Sequence, residues 1–297
     1  MTRLKLGIVD SSAGNGHMFS FSSLFNGYNP KELANCPFPS IVAYLPKYRT
    51  PVEILHKKAE VSAIWMDNVE FAEAVARFGN IVSVHSDIGS LLENVDGVIL
   101  TNDEPVGRES ILDTCLDSGK IVFVDKMIAR TSELLMQKLS RQHFPGQLYC
   151  ASALSFSSIF QGLAWDNTTE CMIFSSPKNW SNYGIHVVDL FLSFADANNL
   201  EYEIGKLTHG NSSSEREIIV HNSGGGKILL RTEGLADTDF SIKVLKNGKQ
   251  KVVKMADPFN AFGKMLDTWL SRVPEDSHLT EYDRYKKAIT ILGFDQE

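Results

Sequence analysis

Residues 61–126, VSAIWMDNVEFAEAVARFGNIVSVHSDIGSLLENVDGVILTNDEPVGRESILDTCLDSGKIVFVDK, decide the fold. Short apolar runs alternate there with segments of helical period. Residues 61–66 read as a strand and 69–77 as a helix whose Phe71, Ala72 and Val75 share a face. Residues 81–85 are a strand, 88–93 a short helix and 95–100 a strand. Residues 105–117 form a helix, with Pro105 in its first turn and Gly119 beyond its end. Residues 121–124 are an almost purely apolar strand. Strands buried on both faces and separated by helices specify a parallel sheet, because parallel neighbours need crossover connections.

Working outward, residues 4–9 are a further apolar strand. It runs into the small-residue turn Asp10-Ser11-Ser12-Ala13-Gly14-Asn15-Gly16, and 20–25 follow as a short helix. Residues 26–51, with Pro30, Pro37, Pro39, Pro46 and Pro51, read as an elaborated surface segment. Beyond Arg130 the rhythm changes. A helix at 131–142, a strand at 147–154 and a helix at 183–195 precede strand-rich sequence over 201–255. In that stretch 221–226 and 246–249 have the composition of hairpin turns, which makes the strands they join antiparallel. Gly224, Gly225 and Gly226 lie between strands, so they read as a turn and not as a phosphate loop. Helices at 258–271 and 280–292 close the chain. The expected fold class is α/β: a Rossmann-type doubly wound parallel sheet over residues 1–127, then an α+β domain over 128–297 with a largely antiparallel mixed sheet.

Bulk properties narrow the function. The 297 residues carry a net charge of −7, with Lys and Arg scattered, which argues against a nucleic-acid partner. Cys36, Cys115, Cys150 and Cys171 form no CxxC pair and the eight histidines are dispersed, so no metal site is expected. No segment has the length and apolarity of a membrane span, the N-terminus lacks the features of a signal peptide, and the expected compartment is the cytoplasm. No Gly-x-Ser-x-Gly elbow supports a serine hydrolase.

In doubly wound sheets ligands bind beyond the carboxyl ends of the strands. Residues 10–17, 101–104 and Asp125-Lys126 fall at such ends. Lys126, directly after a buried strand, is held beside that crevice; the plainer alternative is a lysine reaching for solvent. On the helix 183–195 and the turn before it, Asn182, His186 and Asp189 share a face. Histidine exchanges protons near neutral pH, and the plainer alternative pairs it with Asp189 inside the core. Gly184 leaves its turn open to a close approach. Asp67, after the second strand, suits an adenosine ribose or, alternatively, a helix cap shared with Asn68. Trp165, Trp180 and Tyr183 suit either a sugar-stacking wall or the core.

Taken together, Gly119-Lys120-Ile121-Val122-Phe123-Val124-Asp125-Lys126, Gly184-Ile185-His186-Val187-Val188-Asp189-Leu190 and the first βα turn resemble the glucose–fructose oxidoreductase, inositol dehydrogenase and rhizopine catabolism (Gfo/Idh/MocA) family, over most of the chain. Its members place Glu-Lys-Pro after an apolar strand and Asp-x-x-x-His on a helix of the second domain. The matching residues here are Lys126 and His186, about sixty positions apart. The resemblance implies bound NAD or NADP and hydride transfer at a carbinol or carbonyl carbon of a sugar, sugar derivative or polyol. His186 would exchange the hydroxyl proton, Lys126 would orient the reacting oxygen, and Asn182 would stand where the family has its Asp. Ser11, Ser12, Gly14, Asn15, Gly16, His17, Asp67, Thr101, Asn102, Asp125 and Lys126 would contact the cofactor, and Tyr183 and Trp165 the substrate. No Lys or Arg closely follows Asp67, which favours NAD over NADP. A homo-oligomer, dimer or tetramer, is implied as well. The chain departs from the pattern at three places: Asp10 opens the glycine-rich turn and is expected to repel a pyrophosphate, Asp125 and Met127 flank the lysine, and Asn182 replaces the aspartate. These departures define the alternative, a catalytically impaired relative acting as a binding or assembly protein.

Overall fold

The computed structural model of the chain describes residues 3–11, 16–47, 50–101, 107–211, 213–221, 225–235, 238–272 and 278–294. The chain divides into two units. The first gathers Met1–Ile128, Met136–Cys150 and Phe262–His278; the second gathers Ala129–Leu135, Ala151–Ala261 and Leu279–Glu297. Two later segments return to the first unit.

The first unit holds β1 (Leu4–Asp10), α1 (His17–Asn26), α2 (Pro39–Tyr44), α3 (Glu53–Lys58), β2 (Ala59–Met66), α4 (Val69–Phe78), β3 (Ser83–His85), α5 (Ile88–Leu92), β4 (Gly97–Leu100), α6 (Arg108–Asp117), β5 (Ile121–Asp125), part of α7 (Ser132–Ser140) and most of β6 (Leu148–Ala151). The sheet order is β3-β2-β1-β4-β5-β6, and the β2–β3, β1–β2, β1–β4 and β4–β5 pairings are parallel. The order reverses between β1 and β4, which opens a crevice at the carboxyl ends of those strands. Every residue of β4 and β5 is buried, as strands covered on both faces must be.

Helix α1 supplies much of this core through Met18, Phe19, Phe21, Leu24 and Phe25. Phe19 meets Phe78 edge to face, with centroids 5.0 Å apart at 78°, a geometry worth about 0.5–1.5 kcal/mol beyond area burial. Residues 262–278 return to this unit for the same reason. Trp269 lies 5.5 Å from Phe123 and Phe262 lies 5.3 Å from Phe21, centroid to centroid.

Residues 26–51 differ from the expected surface segment. Pro30 opens a 3₁₀ turn (Pro30–Asn35) and Pro39 opens α2, each at a first-turn position where proline's missing N–H costs nothing. Tyr28, Cys36, Ile41 and Leu45 are buried. Pro30 and Pro39 start elements here instead of breaking them.

The second unit contains β7 (Thr169–Ser176), α8 (Trp180–Ala197), β8 (Tyr202–His209), β9 (Ser214–Val220), β10 (Gly226–Thr232), β11 (Ser241–Lys246), β12 (Lys249–Lys254), the start of α9 (Pro258–Arg272) and most of α10 (His278–Leu292). Its order is β12-β11-β7-β10-β9-β8, with β7–β10 parallel and the other pairings antiparallel. The hairpin at 246–249 has Asn247 and Gly248 both at positive φ, 50° and 67°, the requirement of a tight two-residue turn. Strand β7, in the middle of the sheet, is an addition to the expected elements. Its Met172 and Phe174 face α8, where Phe174 meets Phe194 at 5.6 Å. No helix among the described residues is long and apolar enough to cross a membrane.

Candidate active site

Four residues of the first unit meet at the crevice in two pairs. Asp10 ends β1 and Thr101 follows β4; both are fully buried, and Thr101 Oγ1 donates to Asp10 Oδ2 at 2.6 Å. Asp125 ends β5, 3% exposed, with its Oδ2 2.5 Å from His17 Nδ1 at the start of α1. The His17 ring is wedged between Phe21 and Phe262, at 5.4 and 4.9 Å.

Lys126 follows, 8% exposed, with φ at +73°. A left-handed lysine costs about 1–2 kcal/mol and persists only where its surroundings impose it. Those surroundings include Arg108, whose Nη2 donates to the carbonyl of Asp125 at 3.2 Å and to that of Met127. The arginine clamps the peptide units on either side of the lysine, so the backbone is fixed without a proline at Met127. The lysine that simply reaches for solvent is not what the fold contains.

Of the expected cofactor contacts, Ser12, Gly14, Asn15 and Asn102 lie outside the described residues. Ser11 is half-buried. Gly16 precedes α1, and a Cβ there would come within 2.6 Å of Ile41 Cδ1 and 2.9 Å of Phe38 Cγ. The close approach that requires this glycine is thus made by α2 and the residue before it. Asp67 is exposed after β2, while the neighbouring Asn68 caps α4 by accepting from Phe71 N at 2.9 Å. Asp67 is therefore not the cap. The frame fits a dinucleotide. The crevice lies at the reversal of strand order, α1 has neither a side-chain cap nor an acidic residue in its first turn, and the Asp67 carboxylate stands at the β2 end. Asp10, whose charge was expected to repel a pyrophosphate, is buried and accepts from Thr101.

In the second unit, His186 lies on α8, 8% exposed, and does not pair directly with Asp189. Both side chains fix the segment after β6. Ser152 Oγ is 2.7 Å from His186 Nδ1, Ser152 N donates to Asp189 Oδ2 at 3.0 Å, and Ser155 Oγ donates to the same oxygen at 2.5 Å. Arg284 on α10 completes the set, donating through Nε at 2.9 Å and Nη2 at 2.6 Å to Asp189 Oδ1. The imidazole also contacts the rings of Tyr183 and Phe240 edge-on, at 5.2 and 5.4 Å. Asn182 is exposed one turn earlier and accepts from Arg130 Nη2 at 3.3 Å.

Other expectations change. Gly184 is not open, since a Cβ there would meet the Trp180 ring at 2.9 Å and Leu292 Cδ2 at 3.0 Å. Trp180 is core, its Nε1 donating to Leu292 O at 3.0 Å. Trp165 is buried over Gly226, whose added Cβ would lie 2.8 Å from the indole, so it packs a hairpin and presents no open face for a sugar. Tyr183 is half-buried and stacks on Phe240 at 6.3 Å and 14°. Ser152, Ser155, Arg108, Arg284 and Phe240 escaped the sequence reading. Among the described residues no three His, Cys, Asp or Glu side chains gather as metal ligands.

No protein family profile matches the chain, and no curated protein matches it in sequence. Solved structures do match in fold. Myo-inositol 2-dehydrogenase from Lactobacillus plantarum superposes with a TM-score of 0.66 at 9% identity, over 99% of this chain and 96% of that one. Myo-inositol dehydrogenase from Lactobacillus casei, in complex with NAD(H) and myo-inositol, gives 0.62 at 13% identity, over 99% and 95%. UDP-N-acetylglucosamine 3-dehydrogenase from Acidithiobacillus ferrooxidans gives 0.63 at 9%, over 98% and 96%. At such identities the likeness is one of architecture, and the chain has, across nearly its whole length, the fold of the inositol dehydrogenases that its motif residues resemble.

Proposed function

We propose that the chain is an NAD(P)-dependent oxidoreductase that transfers hydride at a carbinol or carbonyl carbon of a sugar, sugar derivative or polyol. The observation that carries this reading is Lys126, a buried lysine held in a left-handed conformation at the end of β5, where the sheet opens its crevice. Strained, buried ionisable groups cluster at functional sites. The dehydrogenases that share the fold, one of them in complex with NAD(H) and myo-inositol, support the reaction class.

In this proposal residues 1–127 hold the dinucleotide. The first turn of α1 serves the pyrophosphate and Asp67 the adenosine ribose, with NAD preferred because no cation follows Asp67 closely. Residues 128–297 hold the substrate. A bound nicotinamide supplies the hydride chemistry, and the protein supplies orientation and proton traffic. The Lys126 ammonium stabilises negative charge developing on the reacting oxygen. His186 takes the hydroxyl proton on oxidation and returns it on reduction, with its ring fixed through Nδ1 by Ser152. Asn182 and Tyr183 hydrogen-bond substrate hydroxyls. The same reading includes a cytoplasmic homo-oligomer. Buried thiols at Cys36, Cys115 and Cys150 suit a reducing compartment, and Ile219 and Val252, exposed on the second sheet, suit a subunit contact.

Titration of NADH and NADPH into the purified protein, followed by nicotinamide fluorescence, tests the proposal. Saturable binding with a Kd below about 1 mM is expected, and no binding of either at that concentration overturns it.

A further inference from the structure

We propose that the substrate handled at His186 carries an anionic group, a carboxylate or a phosphate, and that Arg130 and Lys178 bind it. This rests on the oxidoreductase reading above and adds a substrate class to it.

In the second unit Arg231 pairs with Glu215, Lys246 with Asp166, Lys254 with Asp239 and Arg284 with Asp189 and Asp196. Arg130 and Lys178 are both exposed, and, like Lys206, Lys243, Lys249, Lys251, Lys286 and Lys287, they form no ion pair among the described residues. They are nevertheless not loose. Arg130 donates to Asn182 Oδ1 at 3.3 Å, with its guanidinium carbon 5.3 Å from the centre of the Phe294 ring. Lys178 donates to the Tyr183 hydroxyl at 2.7 Å, with its ammonium 4.6 Å from the centre of that ring. An amide oxygen, a phenol and two aromatic faces orient a cation while leaving its full charge available to a ligand.

The two anchors, Asn182 and Tyr183, are neighbours in the first turn of α8, and His186 lies on the following turn with its ring 5.2 Å from that of Tyr183. Both cations are therefore fastened to the turn that presents the imidazole. The backbone commits Lys178 to its place. Its φ is +58°, and it is fixed from both sides by Lys178 N to Leu235 O at 3.0 Å and Gly234 N to Lys178 O at 2.9 Å. Left-handed geometry is unfavourable for lysine, so a site that needed only a solvated surface charge would gain nothing from it. The first turn of this 18-residue helix contains no acidic residue, and its amide dipoles add positive potential to that of the two side chains. The chain as a whole has a net charge of −7, so an anion is drawn to this locus by local charge and not by the overall field.

The test uses the purified full chain and a panel of hexuronates, hexose phosphates and their neutral parent sugars and polyols. Turnover is read as NADH formation, and binding by calorimetry. An anionic member is expected to exceed its neutral parent in kcat/KM by at least about tenfold, the worth of one charge-assisted hydrogen bond. Arg130→Gln and Lys178→Gln should each raise KM for that member about tenfold while the Kd for NADH stays within about twofold. Selective loss of hexuronates or of hexose phosphates in the variants identifies which anion the site reads. Preference for the neutral parents, equal response of the variants to charged and neutral members, or binding of no anionic member overturns the proposal. NADH binding is measured on the same samples. Its absence would fell the oxidoreductase reading alone, because calorimetry with the anionic sugars still decides the anion site.

Discussion

Ser152 Oγ lies 2.7 Å from His186 Nδ1, and the backbone N–H of the same serine donates to Asp189 Oδ2 at 3.0 Å. One residue thus orients the imidazole through its side chain and is itself fixed through its main chain, with Arg284 securing Asp189 from the other side. His186→Ala is expected to lower turnover at least about 100-fold, the loss typical of a general acid–base group. Ser152→Ala keeps the imidazole but removes the hydroxyl that meets its Nδ1. It should lower kcat by about tenfold or more with KM nearly unchanged, as misorientation does. Ser152→Thr, which retains the hydroxyl, should recover most of that loss. Steady-state rates for the three variants check this, and wild-type kcat in Ser152→Ala would dismiss the positioning role.

Lys126 separates function from stability. Replacing a left-handed lysine by glycine relieves backbone strain, so Lys126→Gly should be more stable than Lys126→Ala by about 1 kcal/mol. Both should lose at least about 100-fold in turnover, because the ammonium is gone from each. Urea unfolding gives the first comparison and initial rates the second. Equal stabilities would mean that the turn relaxes when the side chain is shortened, and full activity in both would end the proposed mechanism.

Asp10 requires the opposite separation. If Asp10 repels a pyrophosphate, Asp10→Gly should tighten dinucleotide binding by removing that carboxylate. In the fold that carboxylate is buried and accepts from Thr101, so its removal takes away a buried hydrogen bond and costs about 1–3 kcal/mol of stability. The expected outcome is a clearly lowered Tm with the Kd for NADH changed less than about threefold. A large gain in affinity at unchanged Tm would restore the repulsive role.

What the sequence made legible depended on how strongly each segment was patterned. Strand β5 is apolar throughout and buried throughout, so the position of Lys126 at its end followed directly. Asn247-Gly248 could hardly be other than a hairpin turn. Strand β7 was hidden because only Met172 and Phe174 are large apolar residues among its buried positions, and the rest are threonine and serines. Ser152 was invisible for a related reason. A serine after a strand resembles any loop serine until the fold brings it to a histidine 34 residues away. Gly16 kept its meaning as a site of close approach, but the approaching groups, Phe38 and Ile41, come from a proline-rich segment whose packing no local pattern foretold.

Tyr44 gives the fold a pH dependence of its own. Its hydroxyl bonds to Ser20 in the fully buried polar row of α1, and burial pushes its ionisation from 10.0 up to about 12. Because the folded value lies above the unfolded one, the contribution to stability is complete below pH 10 and declines as pH rises from 10 toward 12. A shift of two units corresponds to about 2.7 kcal/mol, and since part of the residue still meets solvent, about half of that is expected. Urea midpoints should therefore fall more steeply between pH 9 and 11.5, roughly the window bracketing these values, for wild type than for Tyr44→Phe. The absorbance titration of wild type minus Tyr44→Phe isolates the phenol from the other seven of the eight tyrosines. Its midpoint should lie near 12, and a midpoint near 10 would mean that the Ser20–Tyr44 contact opens to solvent before the fold does.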